Sequence, residues 1–371
     1  MIEEIRRKEK NGFILFDKKN RRYFFENLDQ KEIDTIYEKG FELPLRIQWR
    51  ITKKCNLNCK HCYLNKKNLE KEELSKEELI TISKLIVKNK IFEVLVTGGE
   101  PTIKEGIKEI IPILCENCNV TLFTNVYNSK KVKELLPLFK KYRKTLKLNV
   151  SLDGPKKIHD FIRKEGSFEK TTQNIKRLTD NKIDITINTT LTKQFLPYLE
   201  EYIEILKKTK VKALQFSKFY PLGEGENFID SMLSPLEFKE VTKKLISLSK
   251  KIKTPEIVFD HTFCFLLGEK KQEIITRKCS GGFSKMIIES NGDVYPCQLL
   301  PFKKFKMGNI LKDNLKDIWN SKNKYKFIKD FLPEECKSCN KKEHCLGGCK
   351  ASSYSIHKTF KHKDPYCFYE R

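Results

Sequence analysis

Short runs rich in Val, Ile, Leu and Phe, the pattern of strands buried on at least one face, alternate along the chain with longer stretches whose apolar residues recur at helical spacing. The runs at 46–52, 92–97, 119–124, 145–151, 184–190 and 212–216 read as strands, and the stretches near 76–89, 103–115, 129–141, 168–180 and 195–207 read as helices. Each helix is long enough to cross back over a sheet, so consecutive strands should run parallel. Six such strands predict an α/β fold, a partial (β/α)6 TIM-like barrel that stays open on one side. Ser75 and Glu78 form a capping box at the first of these helices, and Ser234, Pro235 and Glu237 repeat it with proline at the first helical position, opening a sixth helix near 235–252. Ahead of the barrel, 12–17 and 22–26 read as a hairpin around Lys18, Lys19 and Asn20, followed by a short helix near 29–38.

A chain of 371 residues is too long for one small core, which suggests two domains with an appendage: 1–44 as the extension, 45–255 as the barrel and 256–371 as a cysteine-rich unit. Thirteen cysteines would suggest disulfides in a secreted protein, but the opening residues Met1 to Arg7 lack an apolar signal core. A cytoplasmic location is therefore expected, with thiols reduced and metal-bound. No apolar run approaches the ~20 residues that span a bilayer, so no membrane partner is expected. Lys and Arg outnumber acidic residues 74 to 49, a formal charge of +25 that suits an acidic partner. The charge is scattered in pairs such as Lys250–Lys251 and Lys303–Lys304, without an Arg-rich aromatic stripe, which argues against nucleic acid.

Candidate chemistry gathers where the predicted strands end, as parallel architecture favours. After the first strand comes Cys55-Asn56-Leu57-Asn58-Cys59-Lys60-His61-Cys62-Tyr63, three thiols from one loop and no fourth. An iron–sulfur cube normally takes four Cys ligands, so three leave one iron open for a small molecule. A zinc knuckle or a structural cluster is the alternative for the loop alone. Thr97-Gly98-Gly99-Glu100-Pro101 follows the second strand, with glycines that let a backbone come close and a carboxylate suited to a cation. Later strand ends carry Thr124-Asn125, Ser151, Asp153-Gly154 and Asn188, short polar side chains that suit hydroxyls or a carboxylate and equally suit ordinary turns.

The last third holds a second constellation. Cys279 is followed after twelve residues by Gly292 and after four more by Cys297; then come Cys336, Cys339, Cys345, Cys349 and Cys367. Seven cysteines exceed the four of one zinc, though two zinc sites would use them. The stretch Ser290-Asn291-Gly292-Asp293-Val294 reads as an Asn-Gly hairpin that returns Cys297 beside Cys279. Cys115 and Cys118 lie in a helix-to-strand connection and read as ordinary thiols.

Residues 46–371 resemble radical S-adenosylmethionine enzymes with a C-terminal SPASM domain, in the three-Cys loop, the Gly-Gly-Glu-Pro segment, the loop His159-Asp160…Arg163…Gly166-Ser167-Phe168 and the order of the later cysteines. The resemblance implies three [4Fe–4S] clusters: one on Cys55, Cys59 and Cys62 that binds S-adenosylmethionine, an outer one on Cys336, Cys339, Cys345 and Cys367, and an inner one on Cys279, Cys297 and Cys349. Cys264 is a candidate fourth inner ligand. Without it, the inner cluster would offer an open iron to substrate. The same resemblance implies that Tyr63 lies against adenine, that Gly98, Gly99, Glu100 and Pro101 hold the methionine ammonium, and that Thr124, Asn125, Ser151, Asp153, Arg163 and Asn188 serve ribose or carboxylate, Asp153 equally fixing its loop. His159 reads as structural.

The activity implied is reductive cleavage of S-adenosylmethionine to a 5′-deoxyadenosyl radical and oxidative modification, such as cross-linking, of a ribosomally made peptide. A flavodoxin or ferredoxin would supply electrons. A tetrapyrrole or haem precursor is the alternative substrate, and an iron–sulfur electron-transfer protein the non-enzyme alternative, which has no need of the glycine and ribose motifs. No general base is assigned. Gln298 stands after Tyr295-Pro296-Cys297, where sulfatase-maturing members of the family carry aspartate, so formylglycine chemistry is not expected. Residues 1–44 resemble part of a leader-peptide recognition module and equally suit a plain β-extension; because every cofactor motif lies beyond residue 54, their removal should spare S-adenosylmethionine cleavage.

Overall fold

A computed structural model describes residues 4–65, 73–259, 279–324 and 332–369. Strands β1 (Glu4–Glu9), β2 (Gly12–Asp17) and β3 (Arg22–Glu26) form a three-stranded antiparallel sheet, and helix α1 (Gln30–Lys39) follows with an Asp29–Glu32 capping box. The expected hairpin is β2–β3; its third strand, β1, is short and strongly charged, which hid it.

The second sheet has ten strands. Strands β4 (Arg46–Arg50), β5 (Glu93–Thr97), β6 (Asn119–Thr124), β7 (Leu146–Ser151), β8 (Ile185–Leu191), β9 (Ala213–Lys218) and β10 (Glu256–Phe259) lie side by side in chain order, all parallel. Helices α2 (Lys76–Lys88), α3 (Ile107–Asn117), α4 (Ser129–Lys141), α5 (Lys156–Ile162), α6 (Ser167–Asp180), α7 (Leu199–Lys207) and α8 (Pro235–Lys251) form the crossovers. Beyond β4 the sheet continues through β11 (Lys285–Ile288), parallel to β4, then β12 (Asp293–Tyr295) and β13 (Gly308–Asn309), both antiparallel. The cysteine-rich region is therefore hydrogen-bonded directly onto the barrel's first strand.

All six expected strands are present, and β10 and β11 add a parallel strand at each side. Both span four residues, too few for periodicity to register. Helix α5 also escaped the pattern, because Pro155 at its N-cap supplies no side-chain cap. The helices expected from 103 and 195 begin later, at Ile107 and Leu199, behind single turns of 3-10 helix at Pro101–Ile103 and Leu196–Tyr198. One face of the sheet packs Ile47, Trp49, Val94, Val96, Leu148, Val150 and Phe216 against helix residues such as Ile82, Ile110, Leu114, Phe139 and Leu178. Alternate positions carry Gln48, Arg50, Glu93, Thr97, Asn149, Asn188 and Gln215 on the other face, giving the barrel a polar interior.

The amino ends of the strands are closed by the N-terminal sheet. Tyr23 donates to Glu93 at 2.7 Å, Arg46 donates to the same oxygen at 2.6 Å, and Arg21 donates to Thr121 Oγ1 at 3.2 Å. Ile5, Ile14, Phe16, Ile36 and Phe41 share a core with Leu45, Phe92 and Phe283 of the larger sheet and its approach. Residues 1–44 are thus packed into the barrel's base, which bears directly on their removal.

Candidate active site

The three-Cys loop leaves β4 and is held by backbone bonds from several elements. Gly99 N–H donates to Thr52 O at 2.9 Å, Glu100 N–H to Lys54 O at 2.8 Å, Lys60 N–H to Ile162 O at 2.8 Å, and Gly225 N–H to Cys62 O at 2.9 Å. A Cβ at Gly98 or Gly99 would run into the carbonyls of Thr52 and Lys54. The two glycines therefore serve first to let the Cys loop lie on the β5 end. Gly223, at φ 59°, admits the backbone of Leu64 in the same way.

Glu100 is 1 % exposed, and its carboxylate accepts from Thr102 N–H (3.1 Å), Thr102 Oγ1 (2.5 Å), Thr124 Oγ1 (2.7 Å) and Asn125 N–H (2.8 Å). Burial pushes its pKa up, against these donors. Instead of standing open, it knits the ends of β5 and β6 together. Asn125 Nδ2 then donates to Asn56 Oδ1 at 2.8 Å and points to Cys55 Sγ at 3.9 Å. The β6 end is thereby tied to the first cysteine.

Asp153 does the same for the second half of the loop. Its Oδ2 lies 2.7 Å from His61 Nε2 and accepts from Arg163 Nε at 2.6 Å, while Oδ1 accepts from Thr190 N–H at 2.9 Å. Burial alone would raise its pKa, but Arg163 and His61 outweigh burial and hold the carboxyl far below the usual range. Arg163 Nη1 reaches Cys59 Sγ at 3.7 Å, so the guanidinium clamps the loop through Nε and Nη1. His159 Nδ1 accepts from Asp153 N–H at 3.1 Å, and burial pulls its pKa down to about 3, so it is neutral and structural. Ser151 and Asn188 are register partners on β7 and β8, and Asn188 Oδ1 accepts from Ser217 Oγ at 2.8 Å.

Tyr63 meets a group the sequence did not single out. Arg50, buried on β4, donates from Nη1 to both Glu289 oxygens at 2.5 and 2.6 Å and from Nη2 to Gln298 O at 3.2 Å; its guanidinium carbon lies 5.5 Å from the Tyr63 ring centre. One side chain thus joins the Cys loop to the segment after Cys297. Arg50 alternates with Ile47 and Trp49 beside Arg46 and Gln48, an ordinary polar strand face, so nothing local marked it as buried and paired.

The hairpin β11–β12 pairs Ile287 with Tyr295 and Ile288 with Val294, and closes through Glu289–Asp293 with Gly292 at φ 82°. It is a three-residue loop with glycine in the left-handed position and not a two-residue Asn-Gly turn. Cys279, Cys297 and Cys349 pack against one cluster that includes Leu222, Tyr295, Leu299 and Ala351, near enough to perturb one another. Cys349 N–H donates to Asp364 Oδ2 at 2.9 Å, and Lys218 from the end of β9 donates to the same oxygen at 2.8 Å, both charged side chains being fully buried. Cys336 lies among Cys339 and Cys367, and Tyr369 adjoins Cys339, Cys345 and Cys367. The later cysteines fall into these two groups; Cys264 lies outside the described residues. Cys115, in the last turn of α3, and Cys118, its C-cap, are buried in the barrel's core.

Three thiols on one loop and two further groups of cysteines form a donor set of the kind that holds iron–sulfur clusters. Burial pushes Cys59 and Cys297 up to about 11 and Cys349 up to about 12, so these thiolates would form near neutrality only beside a cation such as cluster iron. Among the described residues, no three Cys, His, Asp or Glu side chains converge on a site for one ion, and no helix is long and apolar enough to cross a membrane.

Residues 49–206 match the radical SAM superfamily, and residues 279–340 match the iron–sulfur cluster-binding domain SPASM. The chain is 25 % identical over 334 residues to the antilisterial bacteriocin subtilosin biosynthesis protein AlbA of Bacillus subtilis, covering 88 % of this chain and 71 % of that one. It is 27 % identical over 356 residues to the AdoMet-dependent heme synthase of Methanosarcina barkeri, covering 88 % and 97 %. The crystal structure of Streptococcus suis SuiB bound to S-adenosylmethionine superposes with a TM-score of 0.80 at 19 % identity over 100 % of this chain and 99 % of that one. An anSMEcpe structure with bound AdoMet gives 0.71 at 22 % identity over 87 % and 90 %. From the three-Cys loop at the mouth of a partial barrel to the paired cysteine groups beyond it, the chain carries a radical SAM domain and, C-terminal to it, a SPASM domain.

Proposed function

We propose that the protein is an oxidative maturase of a ribosomally made peptide, with one cluster and S-adenosylmethionine at the barrel mouth and two auxiliary clusters beyond it. Cys55, Cys59 and Cys62 would hold the first cluster; Cys336, Cys339, Cys345 and Cys367 the outer one; Cys279, Cys297 and Cys349, with Cys264, the inner one. When bound, the cluster and S-adenosylmethionine supply a 5′-deoxyadenosyl radical that removes hydrogen from substrate, and the auxiliary clusters supply an electron sink.

This chain's residues orient that chemistry. Gly98, Gly99 and Pro101, with Glu100 fixing the β5 and β6 ends beside them, would hold the cofactor's amino end, and Thr124, Asn125, Ser151, Asn188 and Tyr63 would hold its remainder. Asp153 and Arg163, paired with each other at 2.6 Å and tied to the Cys loop at His61 (2.7 Å) and Cys59 (3.7 Å), act by fixing that loop, and Arg163 would also meet the cofactor's carboxylate. Arg50 holds Tyr63 and the Cys297 segment in one frame.

The observation that carries the peptide reading is the likeness over the whole chain, N-terminal sheet included, to SuiB, which is also known bound to its precursor peptide SuiA (TM-score 0.79). AlbA and the mycofactocin maturase MftC of Mycolicibacterium smegmatis, both 25 % identical to this chain, support it. The N-terminal sheet offers a partner strand at β3, where Phe24 is exposed. Anaerobic reaction of reconstituted enzyme with short peptides encoded beside its gene tests it: peptide should lose paired hydrogens as 5′-deoxyadenosine forms. The near-complete match to a heme synthase favours a second reading. Turnover of a porphyrin precursor with peptides ignored would establish that reading instead.

A further inference from the structure

The function proposed above needs one electron delivered to the Cys55–Cys62 loop from outside, and the loop has two unlike sides. Cys55 faces Asn125 at the strand ends. Cys59 lies instead against Arg163 and lines a surface pocket with Asn58, Lys60, Glu224, Asn227 and Phe228. Cys59 is itself buried, and this pocket lies between it and solvent.

The rim of this pocket has the makeup of an interface. Phe161, on α5, is 47 % exposed, Lys60 Nζ sits 3.4 Å over its ring, and Phe228 packs at 6.2 Å. Ile229 beside it is 46 % exposed. Lys157 lies one helical turn before Phe161 and is also exposed, so a second lysine shares the helix face that presents this ring. Glu224 in the pocket lining and Glu226 and Asp230, both exposed in the same segment, are the opposing charges, Glu226 being paired with Lys358, and the chain as a whole carries +25. An exposed aromatic ring under Lys60 and one helical turn from Lys157 suits a protein whose contact face is acidic with an apolar centre.

We propose that the Lys60–Phe161–Phe228 surface docks an acidic, low-potential one-electron carrier protein, flavodoxin-like in charge, and that the electron enters beside Cys59. In the step, the reduced carrier is oxidised by one electron and the cluster on Cys55, Cys59 and Cys62 is reduced by one; no bond is made or broken and no proton moves. The proposal rests on the radical SAM reading, and the reductant separates the two. Dithionite is small and needs no docking surface.

The test uses reconstituted holoenzyme, S-adenosylmethionine and either dithionite or a recombinant flavodoxin kept reduced by its reductase. Lys60→Glu, Lys157→Glu and Phe161→Ser are each compared with Lys60→Arg. The two charge reversals and Phe161→Ser should weaken flavodoxin binding and slow flavodoxin-driven 5′-deoxyadenosine formation about tenfold, the charge effects shrinking as salt rises, with Lys60→Arg near normal. Dithionite-driven cleavage and cluster absorbance should stay unchanged. Flavodoxin binding and turnover indifferent to all the substitutions overturn this surface alone. So does an equal loss with dithionite, or a loss produced instead by Lys337→Glu or Lys341→Glu beside the outer cysteines. If the unaltered enzyme cleaves nothing with dithionite, the function proposed above fails, and this surface with it.

Discussion

Arg50 on β4 and Glu289 at the end of β11 form a buried, two-oxygen ion pair at 2.5 and 2.6 Å, across 239 positions of sequence. The same guanidinium faces Tyr63 and holds Gln298 O, so a single residue coordinates the Cys loop with the hairpin carrying Cys297. The pair is an alignment device, because two charges taken from water gain little net stability even when well matched.

Removing one partner leaves the other charge buried alone, which costs about 3–5 kcal/mol. Glu289→Gln and Arg50→Met should each lower the thermal midpoint, and Arg50→Met should also reduce iron retained by the auxiliary region. The double substitution Arg50→Met/Glu289→Leu should recover stability without recovering coupled peptide turnover. Full recovery of turnover by the double variant would show that alignment does not need this pair.

Replacing Cys55, Cys59 and Cys62 together by Ala should abolish 5′-deoxyadenosine formation yet leave auxiliary-cluster absorbance. The unaltered protein should hold about twelve irons, three cubes at about four each. Zinc with little iron, or deoxyadenosine formed by the triple variant, would refute the cluster assignment.

How much of this site was legible in sequence differs by residue. Strand positions and cysteine spacings were, because period-two alternation and loop ligands leave local marks. Glu100, Asp153 and Arg163 were singled out as cofactor contacts, but their work in fixing the Cys loop left no mark in the sequence, since contacts such as Asp153 to His61 span 92 positions. Arg50, Glu289, Lys218 and Asp364 left no local trace: pairing between buried charges far apart in the chain follows only from the fold. Cys297 and Cys279 come together as the hairpin suggested, by a different turn.

Glu93 gives a pH prediction. Burial would raise its pKa, but Arg46 and Arg21 with the Tyr23 hydroxyl outweigh burial and lower it. A carboxylate whose folded pKa lies below its unfolded value of about 4.3 adds stability that is fully present above that value and is lost as pH falls through the folded pKa. The stability gap between the unaltered protein and Glu93→Gln should therefore be constant near neutrality and narrow in acid below about pH 4. A gap that widens on acidification would contradict the sign.

The sequence alone suggested that residues 1–44 could be removed without touching S-adenosylmethionine cleavage, and the fold argues otherwise. Truncation strips Phe16 from Phe92 and Tyr23 and Arg21 from Glu93, opening the base of the barrel. It should destabilise the whole protein and depress cleavage with it. Phe24→Glu is the cleaner probe, because Phe24 is exposed on β3. It should weaken binding of an acidic leader and leave peptide-independent cleavage intact. Unchanged leader affinity would remove β3 from the recognition surface.

Gln298 sets the last expectation. Its backbone carbonyl is fixed by Arg50, and its Oε1 is buried without a hydrogen-bond partner among the described residues. An amide cannot accept a proton as a general base at neutral pH, so the position is held in place but chemically inert toward proton removal. A cysteine-type anaerobic sulfatase-maturating enzyme of Clostridium novyi is 28 % identical over 80 % of this chain, yet sulfatase-type Ser or Cys peptides should yield no formylglycine here. Mass spectrometry of such a peptide after reaction decides it. If Gln298→Asp, which restores a carboxylate where Arg50 already positions the backbone, produces formylglycine while the unaltered enzyme does not, the missing base is the reason; formylglycine from the unaltered enzyme would place the base elsewhere.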